Sequence, residues 1–247
     1  SRTVTRPSFI EMAPFLYQES YGSAQIRGNA DLQNGYNYNI DLRYELFEKN
    51  GDMLSITAYY KHLKAPIERV QPLSGGSAVH SFRNADNGMA TGVEIEFRKE
   101  IVKDLRFGVN GSYMYTNVKL PEGGAYTNSQ RALQGASPYL ANADLTYSPA
   151  FSNDRQLSVA LLYNLQGPRI HSVGISGLGD IKQQPVHTLN FTGSYRFNRR
   201  FAVKLQVNDL LNQDILFKQE VPTTGDKVEV ERFRKGTGFE VGFSYDL

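Results

Sequence analysis

The sequence predicts an all-β protein, a transmembrane antiparallel β-barrel, and three features of its 247 residues indicate this fold. Apolar and polar residues alternate in runs of about 9–11, the length that a tilted strand needs to cross hydrocarbon. The second face of these runs is almost wholly polar or glycine, as in a wet lumen. Short and long connections alternate along the chain, as they do when turns and loops lie on opposite sides of an outer membrane.

The first complete hairpin spans Asn37–Phe47 and Met53–Tyr60, and the break between them carries the turn signal Asn50-Gly51. One face of the hairpin is apolar and aromatic, and the other carries charged and hydroxyl side chains. A soluble sheet would turn the apolar face to a protein core, whereas a membrane barrel turns it to lipid. That face consists of Leu42, Tyr44, Leu46, Leu54, Ile56, Ala58 and Tyr60.

Four strands with the same alternation follow in the middle of the chain. In the first of them, Val93 and Ile95 alternate with Glu94 and Glu96. Since the side-chain period of a strand is two, this pattern separates an apolar face from a polar one. The four predicted strands are Thr91–Arg98, Leu105–Tyr115, Tyr139–Tyr147 and Leu157–Leu165.

The last three predicted strands, Leu189–Phe197, Phe201–Val207 and Phe239–Leu247, continue the pattern to the end of the chain. Ser1–Thr5 reads as the end of a further strand. Tyrosine and phenylalanine gather near the strand ends, where the aromatic girdles of a membrane barrel lie at the headgroups. Helical periodicity is not evident, so no helix is predicted.

The predicted connections are sorted by length. The short ones fall near Glu48–Gly51, Glu100–Asp104, Ser148–Arg155 and Asn198–Arg200. The long ones are Arg6–Gly35, Val70–Gly88, Val118–Pro138, Gly167–Val186 and Lys218–Phe233. A soluble sandwich or lipocalin has no reason to sort its loops in this way. We therefore expect lipid around the apolar faces, short turns in the periplasm and long loops outside the cell.

Composition excludes several classes of protein. A net charge of +2 is too small to suggest nucleic-acid binding, and the absence of cysteine excludes disulfides, thiolate catalysis and cysteine-based metal sites. No apolar run reaches the length of a transmembrane helix. The first residues, Ser1–Val4, lack an initiator methionine and an apolar signal segment. We therefore expect a mature product or a piece of a longer chain.

Six motifs in order resemble the late barrel of TonB-dependent outer-membrane receptors. They are SRTVTRPSFIEMAPF, GNADLQNGYNYNIDLRYELF, LSITAYYKHLKAPIE, NADNGMATGVEIEF, VKLQVNDLLNQDI and GFEVGFSYDL. The second has Ala30 where the family usually has proline, and the last ends in Leu247 where many barrels end in an aromatic residue. Each motif alone is weak, but together they cover essentially the whole chain.

The resemblance implies that residues 1–247 are the C-terminal portion of a receptor barrel, the last ten or so of 22 strands, without the plug and the early strands. Such a receptor actively imports a scarce nutrient (an iron chelate, haem, a vitamin or a glycan) across the outer membrane of a Gram-negative bacterium. The implied partners are the periplasmic energy-transducing protein TonB, acting through the plug, the plug itself, outer-membrane lipid and lipopolysaccharide, and the barrel-assembly machinery, which reads the last strand. A surface lipoprotein is a further partner that the resemblance allows.

Ligand binding is expected in the long loops, above all in the longest, Arg6–Gly35, whose aromatic and cationic side chains suit a planar or anionic ligand. Packing of Met12–Tyr17 against the plug or another loop is the competing interpretation of that segment. For the loop histidines, the competing interpretation is ordinary solvation. The candidate ligand-binding residues are Tyr17, Tyr21, Arg27, His80, Arg83, Arg131, Arg169 and His171.

No catalytic residue, metal ligand or cofactor site is predicted, so the protein is not expected to be an enzyme. The four histidines lack ligand spacing. Glu94 and Glu96 are better explained by a network with lumen arginines than by acid–base catalysis. The alternatives are a self-contained ten-stranded outer-membrane enzyme and a porin. A closed ring, with Phe239–Leu247 paired to Ser1–Thr5, would favour these alternatives.

Overall fold

The computed structural model describes residues 1–18, 25–48, 50–70, 79–120, 127–151, 154–174 and 177–245. Within these ranges the chain is almost entirely β-structure, with nineteen strands numbered β1 to β19 along the chain and one short helix. The strands form one large wall sheet and two small sheets in the connections at one end of it. The all-β prediction is confirmed.

Ten wall strands form an antiparallel meander, each paired with the next, and the short strand β10 pairs beside β9. All ten strands predicted from the alternation are present. Several extend beyond their predicted ends toward the long loops, where the alternation gives way to loop composition. The wall strands are β1 (Arg2–Thr5), β4 (Gly35–Phe47), β5 (Met53–Lys64), β8 (Asn87–Val102), β9 (Leu105–Lys119), β11 (Tyr139–Tyr147), β12 (Gln156–Gln166), β15 (Val186–Arg196), β16 (Phe201–Asn208) and β19 (Gly238–Tyr245).

The long connections contain structure that the sequence analysis did not predict. Their strands have only two to seven residues each, which is too short to show a periodic signal. They are β2 (Leu16–Tyr17), β3 (Gln25–Arg27), β6 (Ile67–Val70), β7 (Val79–Asn84), β10 (Gln130–Arg131), β13 (Arg169–Ser172), β14 (Ile181–Gln183), β17 (Ile215–Glu220) and β18 (Lys227–Phe233).

The expectation of no helix is wrong by one turn, because Phe9–Met12 forms the helix α1. Four residues are too few to show helical periodicity. Its start is nevertheless encoded locally, since Ser8 and Glu11 form a capping box. The Ser8 side chain accepts a hydrogen bond from the backbone N–H of Glu11, and the Glu11 carboxylate accepts one from the backbone N–H of Ser8.

The strand register places the predicted lipid-facing residues opposite one another. Leu42 pairs with Ala58 and Tyr44 with Ile56 across β4 and β5. Leu42 is 77% exposed in the chain taken alone. Most of the other large apolar side chains of this face are exposed as well, and a continuous apolar face is what the lipid-facing side of a barrel wall presents, in agreement with the interpretation of the first hairpin.

The opposite face of the wall carries a ladder of asparagines. Asn110, Asn142 and Asn164 are directly opposite one another on β9, β11 and β12. Asn142 donates to the Asn110 side-chain oxygen at 2.7 Å, and Asn164 donates to that of Asn142 at 2.5 Å. Such cross-strand polar pairs stabilise a sheet face that meets water, as a lumen does.

The wall sheet is open rather than closed into a ring. Among the described residues, β1 pairs with β4 alone and β19 with β16 alone. The ladder between β1 and β19 that would have favoured a ten-stranded enzyme or porin is therefore not formed there. Unpaired backbone groups along an open sheet edge are costly in hydrocarbon.

The best-packed apolar core lies beneath the long connections rather than in the wall. Its buried members are Val70, Ala85, Val118 and Leu120, and Leu133 packs against them. These residues come from the ends of strands and from two different loops. The core therefore ties the loops to the rim of the wall, where it positions the candidate site.

Candidate ligand-binding loops

Four of the predicted ligand residues lie in one small sheet with the order β2-β3-β7-β6, which we call the first loop sheet. Tyr17 of β2 pairs with Ile26 of β3. Ile26 pairs in turn with His80 of β7, and it is fully buried. Arg27 and Arg83 lie on β3 and β7 with exposed side chains. The structure therefore brings together residues that the sequence could only place in separate loops.

The residues Gly28-Asn29 connect segments of this sheet through hydrogen bonds and close backbone packing. The Asn29 backbone N–H donates to the Glu11 carbonyl at 2.7 Å, and its side-chain amide donates to the Phe82 carbonyl at 2.9 Å. Its side-chain oxygen accepts the Asp31 N–H at 3.0 Å, as in an Asx turn. Asn29 thus connects the first long loop to β7.

Gly28 permits the close approach of this turn to the helix α1. A Cβ at Gly28 would lie 2.4 Å from the Ala13 carbonyl oxygen and 2.8 Å from that of Glu11. Because both contacts are backbone atoms, Gly28→Ala forces the loop to shift, and we expect it to destabilise the first loop sheet by about 1–3 kcal/mol. Amide hydrogen exchange over residues 25–33 in the full-length protein measures this loss.

The matched control is Gly242→Ala in β19. There a Cβ would meet only the Lys204 Cβ, at 3.8 Å, which is ordinary contact distance. Unchanged exchange protection in Gly28→Ala, or an equal loss of protection over residues 25–33 in the two variants, would contradict the steric role of Gly28.

His80 is oriented within the first loop sheet by a neighbouring cation. The Arg69 Nε–H donates to His80 Nδ1 at 2.9 Å. This bond occupies one of the two ring nitrogens, and it makes Nδ1 the acceptor. His80 therefore belongs to the framework of the sheet as well as to the set of candidate ligand residues.

A buried ion pair connects the first loop sheet with the loop after β9. Arg131 Nη2 lies 2.9 Å from Glu68 Oε2, and the two side chains are only 2% and 5% exposed. Arg131 Nη1 also donates to the Ala132 carbonyl at 3.0 Å. Burial raises the pKa of the Glu68 carboxyl above its ordinary value, and the attraction of Arg131 offsets only part of this effect. Arg131 is thus a structural cation as well as a candidate ligand residue.

Arg169 and His171 lie in the second loop sheet, whose order is β13-β14-β17-β18. Arg169 Nε donates to the Gln183 side-chain oxygen at 2.7 Å. The His171 ring meets the Phe217 ring edge-to-face, with centroids 4.7 Å apart. Phe217 is buried, so His171 packs against the apolar side of this sheet.

The loop between β9 and β11 bridges the two loop sheets. Gln134 donates from its side-chain amide to the His171 carbonyl at 2.8 Å, and the Gly135 N–H donates to the Ile170 carbonyl at 2.9 Å. At its other end, the Thr127 N–H donates to the Gly174 carbonyl at 2.9 Å. Together with the Arg131–Glu68 ion pair to the first loop sheet, these bonds join the long connections into one layer over the end of the wall.

A cavity of about 510 Å³ opens between these loops and the rim of β9. Arg131, Arg169 and Lys182 line it, together with the single carboxylate Asp180. Asp180 is buried and accepts the Gly174 N–H at 2.8 Å, so part of its charge is already satisfied. Because Glu68 neutralises Arg131, the cavity keeps two cations, Arg169 and Lys182, against one carboxylate, and this charge suits an anionic ligand of small-molecule size.

The predicted site residues thus fall into two groups. Tyr17, Arg27, His80 and Arg83 lie in the first loop sheet, and Arg169 and His171 lie in the second. Arg131 contacts both the first sheet, through Glu68, and the cavity. Tyr21 lies outside the described residues. The sequence analysis missed Glu68, Asp180 and Gln183, because isolated polar residues in loops carry no signal of their partners.

Two generic signatures are not found in the described part of the chain. It contains no group of three or more histidine, cysteine or acidic side chains arranged to hold a metal ion. It also contains no helix that is long and apolar enough to span a membrane.

A wide antiparallel sheet with an apolar outer face, a polar inner face and long loops at one end defines an outer-membrane β-barrel segment. The chain belongs to the outer membrane protein beta-barrel family, whose model matches residues 1–245. The protein therefore resides in the outer membrane of a Gram-negative bacterium and crosses it several times. No curated protein sequence matches the chain significantly.

Solved structures with the same fold include three siderophore receptors. A mutant ferric enterobactin receptor from Pseudomonas aeruginosa in complex with enterobactin aligns with a TM-score of 0.65 and 20% identity over 99% of this chain and 37% of its own. The siderophore receptor PirA from Acinetobacter baumannii aligns with a TM-score of 0.63 and 16% identity over 99% of this chain and 38% of its own. The ferric yersiniabactin uptake receptor FyuA from Yersinia pestis aligns with a TM-score of 0.60 and 18% identity over 87% of this chain and 30% of its own.

These likenesses confirm the receptor-barrel resemblance at the level of the fold. The identities are too low to carry ligand residues from one protein to another. The chain spans only about 37% of the length of the ferric enterobactin receptor.

Proposed function

We propose that the chain forms the C-terminal wall and external loops of a TonB-dependent outer-membrane receptor that imports an anionic iron chelate. In this proposal the wall belongs to a barrel of about 22 strands that encloses a plug. TonB acts from the periplasm through that plug. This part of the protein supplies the wall and the loops that capture the ligand, and it carries out no chemical reaction.

The observation that carries the ligand proposal is the cationic cavity under the loop layer. Arg169 and Lys182 project charge into a space large enough for a chelate, and Asp180 balances only part of it. A guanidinium and an ammonium attract the catecholate or carboxylate oxygens around a bound metal. The ferric siderophores in the names of the structural neighbours belong to this chemical class. Haem, a vitamin or a glycan remain the competing cargoes.

Removing the two cavity cations should weaken uptake in cells that carry the full-length receptor. For Arg169→Ala with Lys182→Ala, we expect the concentration of ferric tricatecholate needed for half-maximal uptake to rise about tenfold or more. The reason is that each charge-assisted hydrogen bond contributes about 1.5–3 kcal/mol. Uptake of the radiolabelled chelate measures the change, and surface labelling confirms equal display.

The matched control is Arg199→Ala with Arg200→Ala, which removes two cations from the short turn at the opposite end of the wall. This control should take up the chelate normally. A neutral ferric hydroxamate tests whether charge is what the cavity recognises. Unchanged uptake of the tricatecholate in the cavity variant would move the binding site elsewhere. In that case, Ala at Tyr17 and Arg27 tests the first loop sheet.

A further inference from the structure

The lumen face of the wall carries an open pocket of about 410 Å³ at the end of the short turns, far from the loop cavity. Its floor consists of two rows of lumen-facing residues, each crossing β12, β15, β16 and β19. The row nearer the loops runs through Ser158, Ser194, Lys204 and Gly242. The row nearer the short turns runs through Gln156, Arg196, Ala202 and Ser244. We call this space the lumen pocket, and its volume suits a small molecule.

Each row of the lumen pocket contains one cation with a small side chain beside it. Lys204 lies between Ser194 and Gly242, and Arg196 lies next to Ala202. Both cations are exposed, because their small neighbours leave the charged groups uncovered. Among the residues that the structure describes, neither cation lies at ion-pair distance from a carboxylate.

The pocket keeps its positive charge although one acidic residue lies nearby. Glu240 is the single carboxylate on β12, β15, β16 and the described part of β19, and it pairs with Gln206 one row closer to the loops. With its amide turned to suit both neighbours, Gln206 accepts a hydrogen bond from Lys204 Nζ and donates one to Glu240 Oε2, both at 3.2 Å. A neutral amide therefore separates Lys204 from Glu240.

Charge divides the lumen face of the wall into two sectors. In the first sector, carboxylates accompany the cations, and Glu45 and Glu96 pair with Arg43 and Arg98 at 2.6 and 2.5 Å. Its lumen carboxylates are Asp41, Glu45, Glu94, Glu96, Glu100 and Asp144. The second sector, β12, β15 and β16, carries no acidic residue. An anion in the lumen is therefore repelled less along the second sector than along the first.

β15 runs through the second sector from the loop layer to the lumen pocket. It begins at Val186, shortly after Lys182 of the loop cavity, and ends at Arg196. Its 11 residues span about 34 Å. Hydroxyl and amide groups, which can hydrogen-bond an anion, occupy the lumen positions between these ends: Thr188, Asn190, Thr192 and Ser194.

We propose that the lumen pocket is a second anion site, in which Arg196 and Lys204 receive the anionic cargo after it leaves the loop cavity. The guanidinium offers paired donors to two oxygens of the anion, and the ammonium adds a flexible point charge. The identity of the cargo rests on the proposed function, whereas the presence of an anion site does not. An acidic segment of the plug is the competing occupant of the pocket.

The direct test measures binding of inorganic pyrophosphate, a small multivalent anion, to the purified full-length receptor. The background variant Arg169→Ala with Lys182→Ala removes the loop-cavity cations, so that the lumen pocket is measured alone. Adding Arg196→Gln with Lys204→Gln should raise the dissociation constant about tenfold or more, because two charge-assisted contacts are lost. Equilibrium dialysis with radiolabelled pyrophosphate measures this change. No binding in the background variant, or equal binding in both variants, would overturn the proposal.

Two further variants in the same background separate charge from structure. Arg43→Gln with Arg98→Gln removes two lumen cations that already have carboxylate partners, and it should bind pyrophosphate normally. Arg196→Lys with Lys204→Arg keeps both charges of the lumen pocket and should retain most of the affinity. A loss in the first pair as large as that in Arg196→Gln, Lys204→Gln, or a full loss in the charge-retaining pair, would contradict a local anion site.

Uptake of ferric tricatecholate by cells tests the place of the pocket in transport. With the loop cavity intact, Arg196→Gln with Lys204→Gln should leave capture of the chelate by energy-depleted cells unchanged and lower the maximal uptake rate about tenfold. An unchanged rate would remove the pocket from the transport route. If the wild-type receptor captures no tricatecholate, the proposed cargo is wrong, and the pyrophosphate measurement still decides whether the pocket binds anions.

Hydrogen exchange in the plug identifies the competing occupant. If Arg196 and Lys204 hold an acidic segment of the plug, Arg196→Gln with Lys204→Gln should increase exchange in that segment without changing pyrophosphate binding, and this result would overturn the proposal. An anion site predicts unchanged exchange in the plug together with weaker pyrophosphate binding.

Discussion

Replacing Arg131 by methionine is expected to destabilise the loop layer by about 3–5 kcal/mol, because it leaves the Glu68 carboxylate buried without a counter-ion. Both side chains are almost fully buried, so water cannot replace the lost partner. The pair also connects the first loop sheet to the loop after β9, and its loss should open both. Hydrogen exchange over residues 67–70 and 130–135 in the full-length protein measures this effect.

The loss in Arg131→Met should depend on pH with a defined sign. The pKa of Glu68 is already raised by burial, and removing the neighbouring cation raises it further. In the folded variant the carboxyl therefore takes up a proton at a higher pH than in the unfolded chain. The stabilisation that this proton gives the folded variant is fully present below the pKa that Glu68 has in the unfolded chain. It is lost as the pH rises through the pKa that Glu68 has in the folded variant. The variant should lose less stability in acid than at neutral pH.

Arg199→Met is the control for this prediction. Arg199 pairs with Asp154 at 2.8 Å, but its side chain is 84% exposed, so water screens the pair and compensates for its loss. We expect the stability of the loop layer in Arg199→Met to change little at any pH. A small, pH-independent effect of Arg131→Met would show that the buried pair does not hold the loops together.

An arginine at Leu161 is expected to cost about 2–4 kcal/mol of folding free energy, because it places a cation against lipid near the middle of a wall strand. Leu161 pairs with Phe191 across β12 and β15, and both lie on the outer face. Phe191→Arg should behave in the same way. Urea titration of the full-length protein folded into lipid vesicles measures the loss.

Thr192→Arg is the matched control, since Thr192 is next to Phe191 in sequence but lies on the lumen face, opposite Ala160 and Gln206. Water in the lumen solvates the new cation, so the cost should be far smaller. Comparable losses for Phe191→Arg and Thr192→Arg would refute the assignment of the two faces.

The wall could be predicted from the sequence strand by strand. Each strand separates lipid from water, so every second residue of a segment such as Leu157–Leu165 is constrained by its own surroundings. The faces, the order of short and long connections and the antiparallel meander all follow from this local rule. The predicted strand ends toward the loops are less accurate. Residues on both faces of a strand lie outside the hydrocarbon there, so apolar and polar residues no longer alternate. β8, for example, begins at Asn87 rather than at Thr91.

The candidate site could be predicted only as a set of loop residues. The aromatic and cationic composition of the long loops pointed to Arg131 and Arg169. The residues that surround these two arginines come from distant parts of the chain. Glu68, which pairs with Arg131, belongs to a strand of only four residues. The role of these residues in ligand binding stays a prediction that the uptake experiments test.

The sequence by itself determined the class of the protein, the two faces of its wall and the side on which its loops lie, because alternation is imposed on each residue by the solvent that it meets. The tertiary structure alone decided which loops associate, that Arg131 is buried against Glu68 and that Arg169 and Lys182 share a cavity. These contacts join short segments far apart in the chain. Their stability comes from pairing and burial, which leave no periodic trace in either segment alone.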